Sequence, residues 1–497
     1  MVSMIAERNA ALLCALAIAA CSGDGGNDGG IGPGTTPSQI VSQGGNGQTG
    51  FTGDPLPDPL SVRVTDSNGD PVSGVSVSWS VLSGGGTVSP ASTTTGFDGI
   101  ATTEFTLGPP EGEQQAQAHA GGLAGSPVMF TAMATTSLLQ LRVLSGGNNV
   151  TDRFSSDLWV HGNYAYTGTW GSRNGNVGNL LKVWSLDASG APALVGSIAT
   201  ANIGTVSDVQ VSDDGELLVF SGERGGDGGI YLYGLSDPAN PSFLGEALVG
   251  SQGVHTVTLA DLNGRRYAFA ARNPGLEEPA LLIFDVSDPA APALVATEVV
   301  PRNYGIHDTF VRDGIAFVFA WNTGVIIYDV GNGIRGGAPD NPVEISRLVT
   351  DDNGVPGGPS VHNGWWFHNP VSGERRYLFI GQEGQAVIGS QATGDIHVVD
   401  ISDLANPREV AFFRLNGAGT HNFWVDEQRQ ILYAAYYNGG VVALDVSGTL
   451  SGNLANRLLD QVRPGGAGNT YTWGVQLANG SLYAIDLLSG FWQLTTE

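Results

Sequence analysis

The 497-residue chain has few basic residues and almost no lysine. It contains 21 Lys and Arg against 47 Asp and Glu, a formal net charge of −26, and Lys182 is the only lysine. Such a chain has no basic stripe that could neutralise phosphates, which argues strongly against a nucleic-acid partner. The lack of lysine also argues against a P-loop or a Schiff-base enzyme, because both require that side chain.

Cysteine is equally scarce, with Cys14 and Cys21 alone. Residues 1–20 have the pattern of an export signal, because Arg8 precedes an apolar run of about 11 residues, which is too short to span a bilayer. Cys21 follows Ile18-Ala19-Ala20, and this segment resembles the lipobox of bacterial lipoproteins. The resemblance implies cleavage before Cys21, lipidation at Cys21 and, because Ser22 follows rather than Asp, an outer-membrane location with possible display on the cell surface. An ordinary secretory signal with an incidental cysteine is the alternative.

Long amphipathic helices are not evident either. The chain has 74 Gly, 25 Pro and only 14 % charged residues, which favours short strands joined by turns, an all-β fold. The glycine-rich residues 21–37 predict a flexible tether. Residues 38–135 alternate polar and apolar side chains between turn signals, as in a β-sandwich. Within this region, segments 59–75, 83–89 and 94–99 resemble the bacterial Ig-like domains of the invasin and intimin type, which implies an Ig-like fold.

An apolar strand that ends in Asp recurs through residues 136–497. It is clearest at Leu281-Leu282-Ile283-Phe284-Asp285 and Ile396-His397-Val398-Val399-Asp400, with weaker copies elsewhere. These segments resemble LVIVD repeats. Each copy lies downstream of another strand start, and these starts are Ser156, Ser207, His255, His307, His362, His421 and Trp473, spaced 48 to 59 residues apart. Seven starts predict a seven-bladed β-propeller of four-stranded blades.

The last blade has chain for only three strands, which end near Leu494. Residues 138–144, just before the first blade, are predicted to supply its outer strand and so close the ring without an exposed edge.

Four of the eight histidines occupy the same repeat position in consecutive blades: His255, His307, His362 and His421. First strands line the channel of such a propeller, so these imidazoles are candidate ligands for a transition metal at one channel mouth. Asp308, Asn363 and Asn422 follow them directly and are candidate partners that orient the rings. Structural hydrogen bonding between blades and acid/base catalysis are the alternatives.

The sequence has no Gly-x-Ser-x-Gly, no His-Glu-x-x-His and no nucleotide fingerprint, so no catalytic residue can be assigned. The first functional hypothesis is a monomeric, lipid-anchored binding or adhesion protein rather than an enzyme. Its partner would be an extracellular or periplasmic protein or glycan, and its contact with the membrane would be through the lipid alone. The second hypothesis is a metal-dependent, oxidase-like enzyme that uses the histidines.

Overall fold

In the computed structural model, residues 36–56, 58–135, 139–274, 278–301 and 305–496 are described. The predicted export signal, the lipid site at Cys21 and the tether up to residue 35 lie outside these residues. The chain forms two compact units, which divide between Thr135 and Thr136. Within the described ranges, no helix is both long and apolar enough to cross a membrane.

The first unit consists of two sheets. One contains the strands Gln39–Gly44, Leu60–Thr65, Ile100–Thr106 and Thr87–Ser89, in that order. The other contains Gln48–Phe51, Val128–Thr135, Gly112–His119, Ser76–Ser83 and Ser92–Thr94. Alternate residues of these strands point into one core, which includes Val62, Val77, Phe105 and Phe130.

The second unit is a ring of seven four-stranded antiparallel sheets. Blade 1 contains Phe154–His161, Tyr164–Trp170, Leu180–Leu186 and Pro192–Ala199. Blade 2 contains Thr205–Val211, Leu217–Glu223, Gly229–Gly234 and Ser242–Leu248. Blade 3 contains Val254–Leu262, Arg265–Arg272, Ala280–Asp285 and Ala293–Val299. Blade 4 contains Asp308–Arg312, Ile315–Phe319, Val325–Asp329 and Val343–Leu348.

The remaining blades follow the same order from the channel outward. Blade 5 contains Val361–Phe367, Tyr377–Gln382, Ile396–Asp400 and Arg408–Phe413, with the short Gly452–Asn453 added in parallel at its edge. Blade 6 contains Phe423–Asp426, Ile431–Ala435, Val441–Asp445 and Leu458–Val462. Blade 7 contains Thr472–Ala478, Ser481–Asp486 and Gly490–Thr496 and is completed by Leu141–Gly146. First strands of neighbouring blades contact each other all the way round.

A few small elements lie outside the four-stranded pattern. The loops between second and third strands carry the short hairpins Ser172–Arg173 with Asn176–Val177 in blade 1 and Ala386–Val387 with Gln391–Ala392 in blade 5. A single 3-10 turn, Ala455–Arg457, precedes the outer strand of blade 6.

Ring closure occurs as predicted, with a small shift in position. Leu141–Gly146 pairs antiparallel with Gly490–Thr496, so that Leu141 lies opposite Thr496 and Gly146 opposite Trp492. The sequence predicts this strand at residues 138–144, a few residues earlier. The seven blades and the closing strand confirm the predicted fold class.

The apolar repeat is explained by packing on both faces of each blade. In the second strand of blade 4, Ile315 and Phe317 pack against blade 5, whereas Ala316 and Val318 pack against blade 3. A strand covered on both faces has no polar side, which is why it reads as a continuous apolar run. The Asp that ends the third strand accepts hydrogen bonds from the following turn, as at Asp285 and Asp400, where Ser287 and Ser402 donate at 3.0 Å.

Candidate functional site

The four repeat histidines lie side by side at the beginning of the innermost strands of blades 3 to 6. The centroid of the His255 ring is 4.2 Å from that of His307, His307 is 3.6 Å from His362, and His362 is 4.0 Å from His421. His362 is fully buried, and His307 and His421 are 6 % and 3 % exposed. Since each ring comes from a different blade, the sevenfold arrangement brings together residues that are far apart in sequence.

The outer two histidines are held in position through their Nδ1 atoms. His255 Nδ1 is 2.5 Å from Glu223 Oε1, and His421 Nδ1 donates to the carbonyl oxygen of Trp473 at 2.5 Å. A carboxylate or a backbone carbonyl on one ring nitrogen is the usual arrangement that directs the other nitrogen toward a ligand. The other ring nitrogen of His255, Nε2, lies 2.8 Å from His307 Nε2.

The inner two histidines face a carboxylate. Glu383 Oε2 is 3.9 Å from His307 Nε2 and 3.8 Å from His362 Nε2, and the ligand atoms of these three residues lie within 4.8 Å of one another. Neither ring nitrogen of His362 has a hydrogen-bond partner, and His307 Nδ1 also lacks one. A buried imidazole without partners is costly, because the group has lost its hydrogen bonds to water.

The charge state of the cluster follows from burial and from its neighbours. Burial, together with the adjacent histidines, holds the pKa of His307 and of His362 well below the ordinary value, and burial lowers the pKa of His421 to about 3. These three rings are therefore neutral. Burial also opposes the charged form of His255, but Glu223 outweighs it and raises the pKa of His255. Burial raises the pKa of Glu383.

Aromatic residues with strained backbones surround the cluster. Trp321 and Tyr437 each follow a second strand and have φ angles of +49° and +40°, which are uncommon for bulky residues. The Trp321 ring lies 4.8 Å from His307, and Tyr437 lies 5.2 Å from His421 and donates its hydroxyl to Glu383 Oε1 at 2.5 Å. Strain of this kind persists only where surrounding contacts impose it, and it concentrates at functional sites.

The residues that directly follow the histidines lie one layer further along the channel. Asp308, Asn363 and Asn422 line a cavity of about 480 Å³, to which all seven blades contribute. Asn422 donates to Asp157 Oδ1 at 3.0 Å, Asp308 accepts from the Thr309 amide at 2.7 Å, and the buried Oδ1 of Asn363 has no partner. The ring nitrogens of His255 and His421 are instead held by Glu223 and by the Trp473 carbonyl.

Sequence reasoning missed Glu223 and Glu383. Glu223 is the last residue of a second strand, and Glu383 comes directly after another. First and second strands pair antiparallel, so the end of one lies beside the beginning of the other. An alignment of the second strands, made in the same way as that of the strand starts, would have predicted that both residues lie at the histidine end of the channel.

The inner group has the composition of a metal site. Two imidazole nitrogens and one carboxylate oxygen are ligands that zinc and other first-row divalent metals accept. Bonds of about 2.0–2.1 Å in a tetrahedral site put donor atoms roughly 3.3 Å apart. The separations of 3.8 and 3.9 Å to Glu383 are about half an ångström longer, and the three ligand atoms lie within 4.8 Å of one another, so metal binding requires these side chains to move closer and His307 Nε2 to separate from His255 Nε2.

Comparisons with known proteins agree with the two units. Residues 57–133 match the bacterial Ig-like domain (group 1), and residues 152–172, 267–297 and 390–413 match the LVIVD repeat. The chain therefore carries a bacterial Ig-like domain followed by an LVIVD-repeat β-propeller, as the sequence predicts. This combination is that of a binding or interaction module. No curated protein matches the chain.

Among solved structures, the chain is similar to Sqt1 from Chaetomium thermophilum. The two are 14 % identical, and the match covers 71 % of this chain and 86 % of that one with a TM-score of 0.46. Sqt1 of Saccharomyces cerevisiae is 9 % identical, with 69 % and 83 % covered and a TM-score of 0.45.

Proposed function

We propose that this protein is a lipid-anchored binding protein of the bacterial envelope whose propeller holds a divalent transition metal between His307, His362 and Glu383. The observation that carries the metal proposal is the unpartnered state of both ring nitrogens of the fully buried His362, which faces a carboxylate. A metal would use the lone pair of at least one of these nitrogens. The anchoring proposal rests on the lipobox resemblance at Cys21 and on the Ig-like domain.

The surrounding residues would orient the ligands. Tyr437 holds Oε1 of Glu383 and leaves Oε2 directed toward the two imidazoles. His255 and Glu223 lie on the side of His307 and form the link from the centre to solvent, because the side chain of His255 is 22 % exposed. Ligand-orienting contacts of this kind are worth about 10- to 100-fold in metal affinity.

The experiment is a metal titration of the purified protein after treatment with EDTA. We expect about one Zn²⁺ per chain and a rise in the melting temperature on binding, since a metal that binds only the folded chain at 100 times its Kd adds about 2.7 kcal/mol of stability. His362→Gln and Glu383→Gln should each weaken binding at least about tenfold, because each removes one of three ligands.

The control is His161→Gln, which changes a histidine at the opposite end of an innermost strand. Its metal content and melting temperature should follow those of the unmodified protein. The metal-free melting temperature of each variant shows whether it folds. Failure of the folded, unmodified protein to retain metal, or equal retention by folded His362→Gln, would overturn the metal proposal.

A metal-dependent, oxidase-like enzyme is the second candidate, and one observation favours it. Among the described residues, three protein ligands converge, and a metal with three protein ligands has an open position of the kind that catalytic sites keep. Oxygen consumption by the copper- or iron-loaded protein with phenolic and amine reductants distinguishes this candidate. Turnover that is lost in Glu383→Gln and kept in His161→Gln would favour the enzyme over a binder.

A further inference from the structure

The channel also contains a cavity beyond the histidine layer, which the proposed function does not use. This cavity is lined by residues of all seven innermost strands. Two positions of the repeat build its inner part. In five blades the residue after the strand start forms a polar layer, which contains Asp157, Asp208, Asp308, Asn363 and Asn422. The residue three positions after each start forms a second layer. The second layer contains Trp159, Gln210, Thr258, Phe310, Trp365, Trp424 and Gln476.

We propose that this cavity binds an organic cation, an amine with an apolar or aromatic body, which places its ammonium group on the polar layer and its body against the aromatic residues. The inference goes beyond the metal site and does not depend on it.

The polar layer provides a floor of carboxyl groups, and burial raises the pKa of each. Asp157, Asp208 and Asp308 lie at this level of the cavity, and Asp208 is close enough to influence the ionisation of the other two. None of the three is paired with Arg or Lys in the described part of the chain, and the nearby imidazole of His255 is already paired with Glu223. Buried carboxyl groups are normally paired, and an ammonium group provides the missing partner with charge-assisted hydrogen bonds.

A second polar group at the same level also lacks a partner. Asn363 lines the cavity, is 4 % exposed, and has a buried side-chain oxygen without a hydrogen bond. The oxygen is an acceptor, like the three carboxyl groups.

The wall on one side is a continuous aromatic arc. Trp159 contacts Trp424 at 6.2 Å between centroids, Trp424 contacts Trp365 at 5.2 Å, and Trp365 contacts Phe310 at 5.3 Å. All four rings are partly exposed, so they retain free surface toward the cavity. Aromatic faces attract cations and stack on flat apolar groups.

The arc is held in place at its rim. Glu427 accepts a hydrogen bond from Trp365 Nε1 at 3.2 Å and forms an ion pair with Arg312 at 2.5 Å. Arg312, which lines the cavity at this edge of the arc, is therefore neutralised by Glu427 and does not oppose a cationic ligand. The volume of about 480 Å³ lies within the range typical of small-molecule sites.

The test is isothermal titration calorimetry with 2-phenylethylamine and with 2-phenylethanol, which has nearly the same shape and no charge. We expect the amine to bind at least about tenfold more tightly, because its ammonium group forms charge-assisted hydrogen bonds that the hydroxyl cannot form. Methyl β-glucoside serves as a third probe, since aromatic walls also stack on sugars. Tighter binding of the glucoside, equal binding of the alcohol, or no binding of the amine overturns the proposal.

Two variants locate the binding. Asp208→Asn should weaken amine binding and leave alcohol binding unchanged, whereas Asp340→Asn, which removes the same charge from an exposed loop outside the cavity, should change neither. Trp424→Phe should weaken the binding of both probes less than Asp208→Asn weakens that of the amine. Amine affinity that is the same in Asp208→Asn and Asp340→Asn would refute the site. The titrations are repeated with His362→Gln, in which amine binding should persist whatever the fate of the metal.

Discussion

Removal of one buried leucine from the closing strand should destabilise the entire ring. Leu141 is 5 % exposed and packs in the cluster between blades 6 and 7, which also contains Val475, Leu482 and Leu494. Replacement by Ala loses the transfer free energy of the side chain and leaves a cavity between two rigid sheets, which costs about 3 kcal/mol. Leu144, three residues later in the same strand, is 55 % exposed, and its replacement by Ala should cost less than about 0.5 kcal/mol.

The assay is urea unfolding of the full chain, followed by tryptophan fluorescence. Trp492 reports directly on closure, because it is 7 % exposed and lies in the same cluster. We expect Leu141→Ala to lower the urea midpoint for the ring and Leu144→Ala to leave it nearly unchanged, with the same slope in all three proteins. Equal midpoints for the two variants would refute the idea that this strand holds the ring closed.

Two further predictions concern other parts of the chain. Asp329 is fully buried and accepts hydrogen bonds from four backbone amides of its loop, which lower its pKa to about 2 although burial opposes this. Its contribution is complete above the unfolded pKa of about 3.9 and is lost as the pH falls toward 2, so Asp329→Asn should cost about 2 kcal/mol at pH 7 and much less at pH 2, measured by urea unfolding. Cys21→Ser should move the protein from the membrane to the soluble fraction and abolish labelling by radioactive palmitate; persistent labelling would contradict lipidation at Cys21.

The repeat made the propeller and its four histidines predictable, whereas the two glutamates of the site were missed. The strand starts recur at nearly constant spacing because every blade needs the same innermost strand, so both the blade count and the grouping of four histidines could be read from the sequence. Glu223 and Glu383 require a further alignment, that of the second strands, because they come from the opposite ends of second strands and lie 32 residues from His255 and 21 residues from His362. Glu383 is brought beside His362 by the pairing of the first and second strands of blade 5, and Glu223 is brought beside His255 by the contact between blades 2 and 3.

The residues three positions after each strand start also have a role that the sequence alone does not decide. Trp365 and Trp424 stand out in the sequence as aromatic residues near the channel that could stack on a flat ligand, but packing between blades is the more common role of such residues. The structure separates the two roles: Trp366 is 5 % exposed and packs between blades 4 and 5, whereas Trp365, its neighbour in the same strand, borders the cavity. Neighbouring residues of a strand point to opposite faces, so the exact register decides which of the two tryptophans borders the cavity.

The pairing of Leu141 with Thr496 joins residues separated by almost the whole propeller, and it makes the first strand of the ring the last to find its partner. A ribosome must release nearly all of the chain before this edge can be covered. During that interval an unpaired strand is available to a neighbouring chain, so expression at high density should favour swapped dimers or aggregates more than it would in a protein built from local contacts.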